Sequence, residues 1–180
     1  MRIIEGKFAG RVLPYKERKG RRVTTEKVRK AVFDVLKGFI SFQDINVLDV
    51  FAGSGMYGLE AYSRGARSVI FVESNKHSIS DILKNIDTLA AKDDLHIVHR
   101  EWQKLDREKY ESIFDLVFAD PPYHTFDLGK LEDIAMVLRS GGMYVLEYSS
   151  NIALSGVPMG MKQIFVRQYG DTMIAIFQKE

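Results

Sequence analysis

Cysteine is absent from the 180 residues. Its absence excludes disulfides and thiolate metal sites, and it fits a reducing compartment. Histidine is scarce, and the four present (His77, His96, His99, His124) show no metal-ligand spacing, so no metal site is expected. No apolar run approaches the ~18 residues that a membrane span needs. Met1 to Glu5 lacks the apolar stretch of a signal peptide. The chain therefore reads as cytoplasmic, without a membrane contact. It also lacks internal repeats, low-complexity tracts and coiled-coil heptads.

What is present is ordinary in amount and uneven in placement. With 46% hydrophobic and 28% charged residues, a 180-residue chain can bury a full core as one domain. The net charge is only +2. Residues 1–30, however, hold 11 Lys/Arg against 3 Asp/Glu, and residues 31–180 hold 15 against 21. A basic arm thus precedes an acidic body, and arms of this charge density usually meet phosphate. Residues 1–24 are expected to form that arm and residues 25–180 the body.

The stretch Val47–Gly58 organises the body. An apolar run from Ile45 to Phe51 reads as a buried strand, and it turns on small residues into a helix starting near Leu59. Gly53, Gly55 and Gly58 match G-x-G-x-x-G at that turn, where missing Cβ atoms and free helix N–H groups let a ligand approach the backbone. Glu73 closes a second apolar run, 18 positions after Gly55, where a carboxylate can accept both hydroxyls of a ribose. A nicotinamide dinucleotide would use the same devices. Asp49 at the strand end argues against it, because a carboxylate there suits a ligand carrying an amine and a sulfonium.

Around these motifs, strands and helices alternate from residue 45 to 148, so a parallel sheet with right-handed crossovers is expected. Short strands at 2–5 and 11–14 would form an N-terminal hairpin around Gly6 to Gly10. Thr24 or Thr25 can cap a helix running to Lys37, with Val28, Ala31, Val32, Val35 and Leu36 on its buried face. A helix after Ser74 or Asn75 would bury Ile79, Ile82, Leu83, Ile86 and Leu89. Further strands are expected at 95–99, 114–119 and 143–148, and a helix at 128–138 stopped by Gly141 and Gly142. Two last strands, 163–168 and 172–178, flank Tyr169-Gly170-Asp171 as an antiparallel hairpin. The fold class is α/β, with a seven-stranded, mostly parallel sheet.

The second motif is Asp120-Pro121-Pro122-Tyr123 at the end of the fourth body strand. Each proline holds the preceding residue extended and removes an N–H, so the backbone leaves the sheet stiffly with its carbonyls unpaired. Asp120 and the Pro121 carbonyl can then both accept from one NH₂ group, beside the flat face of Tyr123. That pair of acceptors suits chemistry on the exocyclic amine of a base, where alignment and charge placement supply the rate. Ligands in such sheets bind outside the carboxyl ends of the strands, so Asp120, Glu73 and the glycine turn are expected to share one crevice.

Phe51-Ala52-Gly53-Ser54-Gly55 together with Asp120-Pro121-Pro122-Tyr123 resembles the Rossmann-like methyltransferases that use S-adenosylmethionine on exocyclic amines. Arg2-Ile3-Ile4-x-Gly6-Lys7-Phe8-x-Gly10-Arg11, Thr24-x-x-x-Val28-Arg29-x-Ala31-x-Phe33 and Tyr169-Gly170-Asp171-Thr172 look like the bacterial 16S ribosomal RNA guanine-N2 methyltransferases. The resemblance covers nearly the whole chain. It implies methyl transfer from S-adenosylmethionine to N2 of one guanine in 16S ribosomal RNA, naked or within the small subunit. By the same resemblance, Asp49, Phe51, Ala52, Gly53, Ser54, Gly55 and Gly58 would lie along the cofactor. Glu73 with Ser74 would hold its ribose, and Glu101 and Trp102 would meet its adenine. Asp120, Pro121, Pro122 and Tyr123 would hold the base, while Arg2, Lys7, Arg11, Arg21, Arg22, Thr24 and Arg29 would contact RNA.

Two positions depart from the family pattern: Arg22-Val23-Thr24 stands where Arg-Pro-Thr is usual, and Glu101-Trp102 stands where an Asp is common. The tetrapeptide is shared with adenine-N6 enzymes, which leaves three alternatives open. These are an adenine-N6 methyltransferase on DNA or RNA, an RNA-binding module with a vestigial pocket, and a dehydrogenase.

Overall fold

The computed structural model describes residues 1–15, 24–122, 129, 133–154 and 156–180. Seven strands form one sheet in the order β3-β2-β1-β4-β5-β7-β6. They are β1 (Asn46–Val50), β2 (Ser68–Glu73), β3 (Leu95–His99), β4 (Phe114–Ala119), β5 (Leu138–Ser149), β6 (Met161–Tyr169) and β7 (Thr172–Lys179). The first five run parallel. β7 inserts antiparallel between β5 and β6, because the turn at Gly170 is too short for a crossover. The expected sheet is therefore observed.

On one face of the sheet lie α1 (Glu26–Leu36), α2 (Met56–Ser63) and α3 (Lys76–Leu89), packed against Val47, Val69, Phe71 and Phe118. The other face is covered by two 3₁₀ turns (Trp102–Lys104 and Glu108–Tyr110) and the short α4 (Ile134–Val137), over Leu48, Val50, Val72 and Val117. β1 shows why the faces differ. Its side chains alternate, so Val47 and Asp49 point to the α2 side while Leu48 and Val50 point away. Asp49 is thereby placed under the glycine turn.

α1 begins where Thr25 accepts a hydrogen bond from the Val28 amide at 3.3 Å, an ordinary N-cap. Its buried face is Val28, Arg29, Val32, Phe33 and Leu36, rotated from the expected one. Ala31 and Val35 are only half-buried. α3 differs in the same way: Leu83 is exposed, and Ser78, Asp81 and Asn85 are buried with Ile82, Ile86 and Leu89. The polar strip faces the glycine turn, and Asn85 donates to the Ser54 carbonyl at 3.2 Å.

The N-terminal hairpin forms in a shortened version: Met1 and Leu13 exchange main-chain hydrogen bonds at 2.9 and 2.6 Å, and Ile3 N–H donates to the Arg11 carbonyl at 3.0 Å, on either side of the bridge Arg2–Val12. Beyond it, the amides of Ile4 and Glu5 go to the carboxylate of Glu60, at 2.8 and 3.0 Å. Gly6 also sits at φ 91° against α2, where a Cβ would lie 1.8 Å from the Ser63 carbonyl oxygen. A further expectation needs correction: Gly141 and Gly142 do not stop a helix. They lie inside β5, in a bulge between the pairs Phe114–Leu138 and Leu116–Met143, and Gly141 takes φ 76°. The strand therefore begins at Leu138, and α4 ends at Val137.

Candidate active site

Adjacent strands β2, β1, β4 and β5 end on one edge of the sheet, and each delivers a carboxylate there or just beneath it. Leaving β1, the chain passes through Phe51 at φ 58°, Gly53 at φ 62° and Gly55 at φ 76°. Left-handed backbone suits the glycines but is strained for a bulky residue such as Phe51. The turn is pinned from three sides. Ala52 N–H donates to the Val72 carbonyl at 3.3 Å, Gly53 N–H to Glu73 Oε2 at 2.8 Å, and Gly58 N–H to Asp49 Oδ2 at 2.9 Å.

The glycines turn out to have different reasons. A Cβ on Gly58 would lie 2.5 Å from the Phe71 ring, and one on Gly55 would lie 3.2 Å from it. Both let α2 press on β2, and neither missing side chain points at a ligand. Asp49 is 3% exposed. Burial pushes its carboxyl up to about 8, the Gly58 amide opposes this, and the charge of Glu73 adds to it. A carboxyl so placed is readily ionised by an arriving cation.

Glu73 is half-exposed at the end of β2. It accepts from Gly53 N–H, and through Oε1 from Ser74 and Asn75 N–H, both at 2.8 Å. Its carboxylate is thus aligned across the mouth of the turn. With about four acceptor positions, it keeps capacity for a ribose hydroxyl. Ser74 is exposed beside it, and its carbonyl lies 3.1 Å from His99 Nε2.

β4 is followed by Asp120, half-buried, with Pro121 buried and Pro122 exposed. Asp120 N–H reaches the Val50 carbonyl at 3.4 Å, which ties this exit to β1. Tyr123 lies outside the described residues, as do Arg21 and Arg22. One strand further on, Glu147 of β5 is 2% exposed. Thr24 Oγ1 donates to Glu147 Oε2 at 2.8 Å and stands 3.5 Å from Asp120 Oδ2. Tyr57 O–H donates to the same Glu147 oxygen at 2.9 Å, with its ring stacked 4.7 Å from Phe118. Burial, and after it the charges of Glu147 and Asp120, hold the Tyr57 pKa well above the usual phenol value, so it remains a donor.

Thr24, Tyr57 and Glu147 belong to this crevice although the motifs did not point to them there. Thr24 was expected on the RNA-facing arm, and it sits instead between two carboxylates. Glu147 carries the same signal as Asp49, a lone carboxylate near the carboxyl end of an apolar strand.

The remaining expected residues disperse. Trp102 is 1% exposed and belongs to the core of the opposite face, with the Arg107 guanidinium 5.6 Å from its ring. It offers no ring face to the crevice. Glu101 is exposed and paired with Lys104 at 2.9 Å. Arg29 is 1% exposed, lies 3.8 Å from Glu60 and donates to the Arg2 carbonyl, so it holds the arm down and cannot meet phosphate. Arg2, Lys7 and Arg11 are exposed. The Lys7 ammonium lies 3.6 Å over the Tyr62 ring, and Arg11 donates to the Thr88 carbonyl at 2.7 Å. Among the described residues there is no group of three or more His, Asp or Glu that could hold a metal ion, and no helix is long and apolar enough to cross a membrane.

Comparison with known proteins gives the family of the chain. A family model described as conserved hypothetical protein 95 matches residues 1–178. The chain is 30% identical over 184 residues to the putative rRNA methyltransferase YlbH of Bacillus subtilis, covering 99% of each protein. It is 35% identical over 142 residues to ribosomal RNA small subunit methyltransferase D of Escherichia coli, covering 79% of this chain and 68% of that one. The solved structure of the putative methyltransferase yhhF from Escherichia coli matches with a TM-score of 0.86 at 28% identity, covering 100% of this chain and 98% of the other.

Proposed function

Because this chain belongs to the rRNA methyltransferase family described as conserved hypothetical protein 95, we propose that it transfers a methyl group from S-adenosylmethionine to the exocyclic N2 amine of a guanine in 16S ribosomal RNA. One observation carries the reading. Glu73, the glycine turn and Asp120 stand side by side on adjacent strand ends, so a nucleoside ligand and a base amine can meet between them.

The residues present fit that cofactor. Glu73 would accept its ribose hydroxyls, and the turn from Phe51 to Gly55 would run along it with Ser74 at the edge. Asp49 would ionise toward its ammonium and sulfonium charges. When bound, S-adenosylmethionine supplies a methyl on a positive sulfur, open to direct displacement. The target guanine must leave its stack to reach the crevice. Asp120 and the Pro121 carbonyl would then orient its amine, with Tyr123 as the expected stacking face. The amine gains positive charge as it is methylated, so the Asp120 carboxylate interacts most strongly with the transition state. Residues 1–24 act as an RNA-binding extension of the catalytic body 25–180, and ribosomal RNA as substrate fits a cytoplasmic enzyme.

Two measurements test the reading. Mass mapping of ribosomal RNA from cells lacking the gene should reveal one guanine without its N2 methyl, and the purified protein should restore it on RNA or on small subunits. A missing adenine-N6 methyl instead would replace guanine with the adenine alternative. Calorimetry should show binding of S-adenosylmethionine; binding of a nicotinamide dinucleotide in its place would overturn the cofactor assignment.

A further inference from the structure

The Tyr169-Gly170-Asp171-Thr172 turn has no part in the chemistry described so far. The fold brings it to the amino end of α1, and between them lies a cavity of about 230 Å³. Its walls include Thr24, Thr25, Lys27, Glu147, Tyr169 and Thr172. Asp120 is not among them, but the cavity adjoins it, since Thr24 Oγ1 touches both Glu147 and Asp120.

We propose that this cavity is an RNA subsite that takes the base next to the target guanine on the same strand. The subsite deepens the guanine reading and rests on it. Three features select such an occupant. The half-buried ring of Tyr169 supplies a face on which any base can stack. The Thr24 and Thr25 hydroxyls in the wall can meet the hydrogen-bonding edge of a base. Exposed Lys27 at the cavity, and the Arg167 guanidinium 5.5 Å from the Tyr169 ring, place positive charge where the strand's phosphates would pass. The volume admits one base. Thr24 sits between the two carboxylates, so a base in this cavity and a base at Asp120 would be neighbours. Holding the neighbour also keeps the target unstacked, which offsets part of the cost of flipping it.

The experiment uses the full chain and short RNAs carrying the target guanine, with 2-aminopurine at the 5′ neighbour, the 3′ neighbour or the target position. Fluorescence should be quenched on binding at one neighbour. Tyr169→Ala, checked by thermal unfolding for an intact fold, should lose most of that quenching, and Tyr169→Phe should keep it. An abasic nucleotide at the same neighbour should slow single-turnover methylation at least tenfold in the parent protein. In Tyr169→Ala the intact and abasic RNAs should react at the same reduced rate. The subsite is overturned if neither neighbour responds, if only the target position is quenched, or if folded Tyr169→Ala keeps the parent rate and the parent abasic penalty. Neighbour quenching lost in Tyr169→Ala, with methyl appearing on a base other than guanine, would keep the subsite and remove the guanine reading.

Discussion

The two ends of α2 handle buried charge in opposite ways. Toward its carboxyl end Glu60, with 0% exposure, is matched by the cations Arg64 at 2.8 Å and Arg29 at 3.8 Å, and by the N–H groups of Ile4 and Glu5. Glu5 is matched in turn by Lys37 at 2.6 Å and Arg64 at 2.9 Å. At its amino end the helix faces Asp49, Glu73, Asp120 and Glu147, which gather acid on acid. The charge of Glu73 adds to the cost of ionising Asp49, and Tyr57 lies in the field of Glu147 and Asp120. One end has spent its charges on holding the arm. The other gathers four carboxylates beside the glycine turn, with Asp49 held protonated by burial, and such a cluster marks a binding site more clearly than any single motif.

If this contrast is real, the ends should break differently. The largest effect is expected from Glu60→Gln, which leaves the buried Arg29 without its counter-charge and Arg64 with Glu5 alone. It should cost about 3–5 kcal/mol in urea unfolding. A loss under about 1 kcal/mol would mean that the clamp is not what holds the arm.

Next comes Asp120→Ala. It should lower single-turnover methyl transfer by roughly 10²-fold, with the unfolding midpoint and cofactor affinity changed much less. An unaltered rate in a folded variant would remove Asp120 from the chemistry.

Asp49 sharpens the comparison through pH. Its folded value of about 8 lies above the ordinary 3.8. The stability it confers is therefore full below about pH 4 and is lost as pH rises through about 8. Asp49→Asn keeps an acceptor for Gly58 and should flatten stability across that window. In the parent protein, the ammonium and sulfonium of the cofactor favour the ionised form, so binding at pH 7 should release up to one proton. Calorimetry in buffers of different ionisation enthalpy reads this directly, and a buffer-independent heat would show that Asp49 does not ionise on binding.

The smallest effects belong to the arm. Neutralising Arg2, Lys7 or Arg11 should each lower the log–log salt slope of RNA binding by about one unit. Arg29→Gln should instead lower stability, because its guanidinium is buried against Glu60. An equal salt effect from all four would erase the distinction between docked and exposed cations.

Much of this was legible in the residues. β1, β2 and β4 stand out as apolar runs bounded by turn chemistry, and the turn at 53–55 and the Asp120-Pro121-Pro122 exit are local steric statements. Where the reading erred, a local signal had two solutions. Gly141-Gly142 can stop a helix or relax a bulge, and only the pairing of β5 with β4 chose the bulge. Leu83 fits the apolar stripe of α3, but the strip beside the glycine turn is polar, which rotates the buried face away from it. Trp102 follows a strand end where an adenine contact is common, yet the 3₁₀ turn carries its indole under the sheet.

The sequence alone determined the chemical types at each strand end and the backbone shapes that carry them, because left-handed glycines, proline exits and alternating strands depend on near neighbours in the chain. Tertiary structure decided which charged and polar groups meet. Arg29, Thr24 and Glu147 look like any other arginine, threonine and glutamate along the chain. Desolvation and Coulomb attraction act through space, so their roles appeared only when Glu60 was brought beneath Arg29, and Asp120 and Glu147 on either side of Thr24.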